Sequence, residues 1–211
     1  MATELIDVRS NRGWDSLVPF TQPSCMGIPH ELLIHHLRLS AIEFCERSGW
    51  FTQSYLVDLQ ENVDEYPIDS YDCMRFIALR KVCYNGDTRY CPAYEPNCCS
   101  ISGNKFWYEN GFLRIGMLPI ADEPGALRVE IVAAPSQDTC FLPESLYRDW
   151  AETIAMGAIA RCLSIAGQVF YDLNSARTFE FKFRAGATLA RQRVERSRIR
   201  GPMKMTARRF V

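Results

Sequence analysis

The spacing of hydrophobic positions along this 211-residue chain changes its repeat twice. After Pro29, the residues Leu33, Leu37, Ala41, Phe44 and Cys45 recur at three- and four-residue steps, which places them on one helical face. Pro29 suits the first helical position and Glu31 the first turn, while Ser48-Gly49 marks the end. From residue 51 to about 135 the reading changes to strands. Residues 54–60 and Met74–Tyr84 carry β-branched and aromatic side chains, and Asn85-Gly86 and Asn110-Gly111 are two-residue turn signals. The second turn joins residues 105–109 to 112–118, and residues 127–134 add a strand closed by Pro135. Residues 87–103, with Pro92, Pro96 and Asn97, read as one long loop.

Helical spacing returns at Pro143, where Leu146, Trp150, Ile154, Ala158 and Cys162 form a stripe. Ala151, Ala155, Gly157 and Ala160 keep the neighbouring rows small, which favours close helix packing, and Gly167 is a natural stop. Asp172, Asn174 or Ser175 can cap a last helix whose face is Phe179, Phe183, Ala187, Ala190 and Val194. Gly201-Pro202 breaks it. The first 27 residues have no sustained period and read as an extended arm anchored by Trp14 and Phe20.

A lone first helix cannot bury its stripe and needs the later pair. The predicted fold is therefore α+β: a helical bundle (the first helix plus the two last ones) with an inserted antiparallel β domain and extended terminal arms. The expected division is an N-terminal arm at 1–27, a helical domain from 28–50 and 141–198, an inserted β domain at 51–140, and a basic C-terminal arm at 199–211. The β block is a sheet, sandwich or half-barrel, and nothing between the blocks has the composition of a flexible linker.

Composition narrows the class. With 47% hydrophobic and 23% charged residues, the chain is not disordered throughout. No apolar run approaches the roughly 20 residues that span a bilayer; the longest, residues 155–169, is interrupted by Arg161 and Gln168. No secretory signal pattern is present at the start of the sequence, so the nine cysteines are expected to be reduced, several of them packed as small hydrophobes.

Candidate chemistry is sparse. His30, His35 and His36 share the first helix but lack the four-residue spacing of a metal helix. Cys83, Cys91, Cys98 and Cys99 contain no Cys-x-x-Cys pair, and Gly-x-Gly does not occur. Tyr66, Asp69, Tyr71 and Asp72 form an acidic, aromatic cluster without calcium-loop spacing. The expectation is a protein that is not an enzyme, with no catalytic residue, cofactor or metal.

Charge changes the picture more. The net charge of −1 hides a split: from Lys182 onward there are ten basic residues and one acid, Glu195, giving +9 and leaving −10 in residues 1–181. Arg191, Arg193, Arg196, Arg198, Arg200, Lys204, Arg208 and Arg209 carry most of it. Arginine pairs with carboxylates or phosphates by two-point contacts. The interleaved Met203, Met205 and Phe210 favour docking on protein over a nucleic-acid tail. DNA binding through this tail is the alternative reading.

Several short motifs also resemble a known family. Val18-Pro19, Cys25 and Pro29 precede Leu37-Arg38 and the run Ala41-Ile42-Glu43-Phe44-Cys45-Glu46-Arg47-Ser48, followed by Trp50. Ala134-Pro135-Ser136 then leads to Leu142-Pro143 and to Gly157-Ala158-Ile159-Ala160-Arg161-Cys162-Leu163. From roughly Val18 to Val194 the chain resembles head-to-tail adaptor (connector) proteins of tailed bacteriophages, including the tail tubular type. The resemblance implies a ring, usually of twelve copies, fixed beneath the portal protein at the head–tail junction of the virion. It implies a tail or nozzle protein below, facing the β block and its 87–103 loop. It further implies genomic DNA passing through the channel without sequence-specific binding, no membrane partner, and synthesis in the host cytoplasm. It assigns portal docking to Arg191 through Arg209 as a basic arm, and it lets residues 1–27 reach a neighbouring subunit.

Overall fold

The computed structural model describes residues 3–4, 12–24, 26–68, 74–84, 86–90, 98–101 and 104–198. In chain order these form β1 (Thr3–Glu4), β2 (Arg12–Gly13), the short helix α1 (Val18–Thr21) between two single 3-10 turns, and α2 (His30–Ser48). The sheet strands follow: β3 (Thr52–Leu59), β4 (Glu65–Pro67), β5 (Met74–Tyr84), β6 (Asp87–Tyr90) and β7 (Cys98–Ile101). After these come β8 (Asn104–Glu109), β9 (Phe112–Ile115), β10 (Glu123–Pro135) and β11 (Phe141–Leu142), then the helices α3 (Glu144–Leu163) and α4 (Leu173–Arg198). The fold is mixed α+β, as the repeat changes predicted.

The helices pack because their small residues let backbones meet. A Cβ added at Gly157 of α3 would lie 2.2 Å from Ser40 Oγ of α2 and 2.8 Å from Phe183 of α4. One added at Gly186 of α4 would lie 2.6 Å from Thr153 of α3. Around these crossings the predicted faces are inside. Leu33, Leu37, Phe44, Leu146, Trp150, Ile154, Phe183 and Ala187 share one core, and burying them is the main stabilising term for this bundle. Phe179, expected on the same face of α4, is half-buried. It packs instead against a small satellite of Ile159, Leu163 and Ala176.

Two antiparallel sheets face each other in the β region, one ordered β1-β3-β10-β5-β6 and the other β4-β9-β8-β7. Of the forms expected, this is the sandwich. Tyr55, Val57 and Leu59 of β3 alternate inward, as do Leu127, Val129 and Ile131 of β10, against Phe106, Leu113 and Ile115 of the facing sheet. The Asn110-Gly111 turn has both residues at positive φ (51° and 90°), the geometry a two-residue hairpin needs. β10 then runs on past the sandwich, and its Ala134 belongs to the helical core. Register shifts at Glu130/Ile131 and Val132/Ala133 separate the two halves of this strand.

Several expectations are corrected in detail. Residues 14–24 form helical turns, not an extended arm. Trp14 and Leu17 are buried in the helical core, and Trp14 Nε1 donates to the Thr139 carbonyl at 3.0 Å, so this segment folds onto its own chain. The 87–103 segment is not simply a loop: β6 pairs with β5, and β7 pairs with β8. Cys99 and Ile101 alternate inward there, so these residues behave as strand hydrophobes. Pro29 and Pro143 sit one residue before their helices, in extended geometry, rather than at the first helical position. α3 stops at Leu163, ahead of Gly167. Gly49 does end α2, in the left-handed conformation at φ 61°. Among the described residues, no helix is long and apolar enough to cross a membrane.

Candidate functional site

α4 carries the basic run out of the bundle. α3 and α4 run antiparallel with Thr153 against Gly186, so the N-terminal end of α3 lies beside the last turns of α4. Val194 is the last buried residue among the described ones, and Glu195, Arg196 and Ser197 are exposed. Arg191, Arg193 and Arg196 are exposed too. At about 100° per residue, the structure places Arg193 and Arg196 on one side of the end of α4 and Arg191 on the other. Cations at a helix C-terminus also complement its dipole. Arg198 closes α4; Arg200, Lys204, Arg208 and Arg209 lie outside the described residues.

Beside this end is a groove of about 500 Å³ that sequence reasoning missed. Its floor is aromatic. Phe20 meets Tyr147 edge-on at 6.2 Å, and Trp150 packs on Phe44 and Trp50 at 5.3 and 5.2 Å. Arginines lie over two of the rings: Arg12 is 4.2 Å from the Tyr147 centroid and Arg193 is 5.1 Å from that of Trp150. Arg12 also bonds Glu144 at 2.6 Å, which holds its guanidinium above the usual range. Trp150 Nε1 is buried with no acceptor among the described residues. Sequence reading placed Trp150 in a helical stripe, Arg193 in the basic run and Phe20 as an arm anchor, but nothing local joins them, and Arg12 and Arg193 are 181 positions apart.

A second groove, of about 660 Å³, lies between α2, α3 and the ends of β5 and β10. Glu43 accepts from Arg47 at 2.6 Å and from Arg161 at 2.5 Å, while Arg75 of β5 pairs with Glu46. Burial pushes the Glu43 carboxyl upward, but the two arginines outweigh it and hold it below the ordinary range. Three motifs far apart in sequence, around Glu43, Pro135 and Arg161, meet in this one clasp between helices and sheet. Their role here is to fix that junction.

The remaining candidates stay ordinary. His30 pairs with Asp15 at 2.8 Å on the surface. Both ring nitrogens of His36 are buried with no hydrogen-bond partner among the described residues, and burial, with His35 and Arg161 nearby, lowers its pKa. Tyr66 is a strand anchor whose hydroxyl donates to the Val63 carbonyl at 2.9 Å; residues 69–72 of that cluster lie outside the described residues. Among the described residues no group of three His, Cys, Asp or Glu could hold a metal ion.

No protein-family model and no curated protein matches the chain. Among solved structures, the chain is similar to a chain from the neck of an empty GTA particle computed with C6 symmetry. The two are 15% identical with a TM-score of 0.24, over 85% of this chain and 94% of that one. A likeness at that level leaves function to be argued from the residues.

Proposed function

We propose that this chain is a structural head-to-tail adaptor of a tailed-phage particle, forming a ring that joins the portal to the tail and continues the DNA channel. One observation carries the reading: the last turns of α4 present exposed arginines on more than one side, and five further cations follow in the sequence from Arg198 onward. Cations around a helix end suit insertion into an acidic socket on a protein, where bidentate arginine contacts reach carboxylates on several walls. The acidic remainder of the chain, at −10, supports the same reading, since like charge keeps DNA from adhering to a channel wall. Rings of identical copies close by heterologous contacts, and twelve copies match the usual stoichiometry of such adaptors. The sandwich then faces a tail or nozzle protein.

The test is to mix the purified protein with portal rings and image the product. Rings stacked on the portal are expected. A chain ending at Val194 keeps the bundle residues and loses the end of α4, so it should fold yet fail to bind. Unchanged portal binding by that chain would refute the docking role. Binding to duplex DNA instead, with affinity falling at a log–log salt slope of about 0.9 per phosphate contact, would favour the DNA-binding alternative.

A further inference from the structure

Two exposed apolar surfaces of the described residues carry opposite charge. The first is the loop between β9 and β10, where Met117, Leu118 and Ile120 are 60%, 50% and 91% exposed. Hydrophobics scattered singly over a surface are ordinary, but three almost side by side mark a contact. The loop is nevertheless fixed. Gly116 N donates to the Lys105 carbonyl at 2.7 Å, Asn62 N to the Pro119 carbonyl at 3.1 Å, and Ile115 N to the Asp64 carbonyl at 2.9 Å. Glu61 N donates to Asp122 Oδ1 at 2.8 Å. A pre-ordered loop has little conformational entropy left to lose on binding. These bonds also set the exposed Glu61, Asp64 and Asp122 around the apolar trio, and none of the three has an ion pair among the described residues. Arg114 is engaged by Glu65 and Glu109, which leaves Lys105, next to Gly116, against three carboxylates.

The second surface is the outward face of α4. Phe183, Ala187, Ala190 and Val194 mark its buried side. At about 100° per residue, Phe181, Ala185, Thr188 and Gln192 lie opposite them. All four are exposed, Phe181 at 74%, and no charge stands in that row. A helix face kept for water carries its charges at the centre, whereas an interface keeps them at the rim. Here Arg177, Arg184 and Arg191 follow one edge, and Lys182 follows the other beside the exposed Leu189, against only Glu180 and Glu195. Arg184 is held by Glu180, and Lys182 lies 5.5 Å over the Phe179 ring. Arg177 and Arg191 have no ion pair among the described residues.

We infer that the 116–122 loop of one copy seats on this face of α4 in a second copy. The apolar trio covers Phe181 and Leu189, and the carboxylates of the loop meet the cations along the edges. Charge selects the occupant. An acidic loop is repelled by nucleic acid and by anionic lipid, while the α4 face offers it the opposite sign. The contact joins two different surfaces, so the association is head-to-tail. That it closes the proposed ring rests on the adaptor reading; the contact itself rests on the two surfaces alone.

Sedimentation velocity of the intact chain over a concentration series, at low and high salt, tests it. The parent should associate, and less tightly at high salt because exposed charges are screened. Ile120→Asp in the loop and Phe181→Asp on α4 should each weaken association roughly tenfold or more, the scale of one lost apolar anchor. Both positions face water, and circular dichroism checks that the variants fold. Leu118→Asp and Leu189→Asp form a second pair with the same expected behaviour. Ile120→Asp retains an intact α4 face and Phe181→Asp an intact loop, so their mixture should form a one-to-one dimer and nothing larger. A parent that stays monomeric, a variant that associates like the parent, or a mixture that stays monomeric would overturn the inference. So would dimers of Phe181→Asp on its own, which point to loop-to-loop pairing. A one-to-one dimer from the mixture together with no binding to portal rings would keep this contact and sink the adaptor reading.

Discussion

Replacing Gly157 with alanine probes the closest approach in the bundle. The added Cβ would lie 2.2 Å from Ser40 Oγ and 2.8 Å from Phe183 Cδ2. Neither neighbour yields freely. Ser40 is fully buried and donates to the Ile154 carbonyl at 2.7 Å, so rotating its hydroxyl away breaks that bond. Phe183 is 3% exposed and wedged in the helical core. Overpacking of this kind costs about 1–3 kcal/mol, and losing the hydroxyl bond adds about 0.5–1.5 kcal/mol. Alanine's better helix propensity returns about 1 kcal/mol. The net expectation is a loss of roughly 0.5–3.5 kcal/mol, or a fall of about 1–14 °C in Tm for a chain of this size. Urea denaturation followed by circular dichroism measures the first, and calorimetry the second. The double variant Ser40→Ala/Gly157→Ala removes the 2.2 Å clash but keeps the one with Phe183, so it should recover only part of the loss, and a double-mutant cycle should show coupling between the two sites. Gly157→Ala at or above the parent's stability would refute the packing argument.

Three further outcomes follow from the geometry. Arg161→Ala leaves Glu43 with Arg47 alone; stability should fall by about 0.5–1 kcal/mol, as befits a partly exposed pair, and the Glu43 carboxyl should titrate higher by NMR. Because the folded pKa of His36 lies below its unfolded value, the unfolded chain binds the extra proton as pH falls below about 6.5. Stability should therefore be full above that pH and decline below it, and denaturation at pH 7.5, 6 and 5 should show the slope flatten in His36→Gln. Asp172 accepts from the Asn174 and Ser175 backbone amides and from the Ser175 hydroxyl, and these bonds hold its pKa low. Asp172→Ala should lower the Tm, and the difference from the parent should shrink as acid protonates the carboxylate, with both effects read from melting curves between pH 2.5 and 7.

The helical faces were the most legible part of the sequence because burial there repeats every three to four residues over long stretches, as from Leu33 to Cys45. Asn110-Gly111 was legible for a different reason: only a few residue types accept positive φ at both turn positions. The strands within 87–103 were hidden because Cys99 and Ile101 make only two inward steps, and cysteine reads as chemistry before it reads as packing. Trp14 was legible only as an apolar anchor and Leu17 not at all, because a single turn is too short to show a period. The Trp150 groove and the Glu43–Arg161 clasp are products of tertiary structure, with Arg12 and Tyr147, and Glu43 and Arg161, more than a hundred positions apart.

β10 has a mechanical consequence. Its first half lies in the sandwich and Ala134 in the helical core, within one strand. A load applied to the sandwich is therefore passed along a continuous hydrogen-bonded strand into the bundle, and the Arg75–Glu46 pair braces the same joint against twisting. The molecule behaves as a strut. Any mismatch between what binds the sandwich and what binds the end of α4 must be taken up outside this joint.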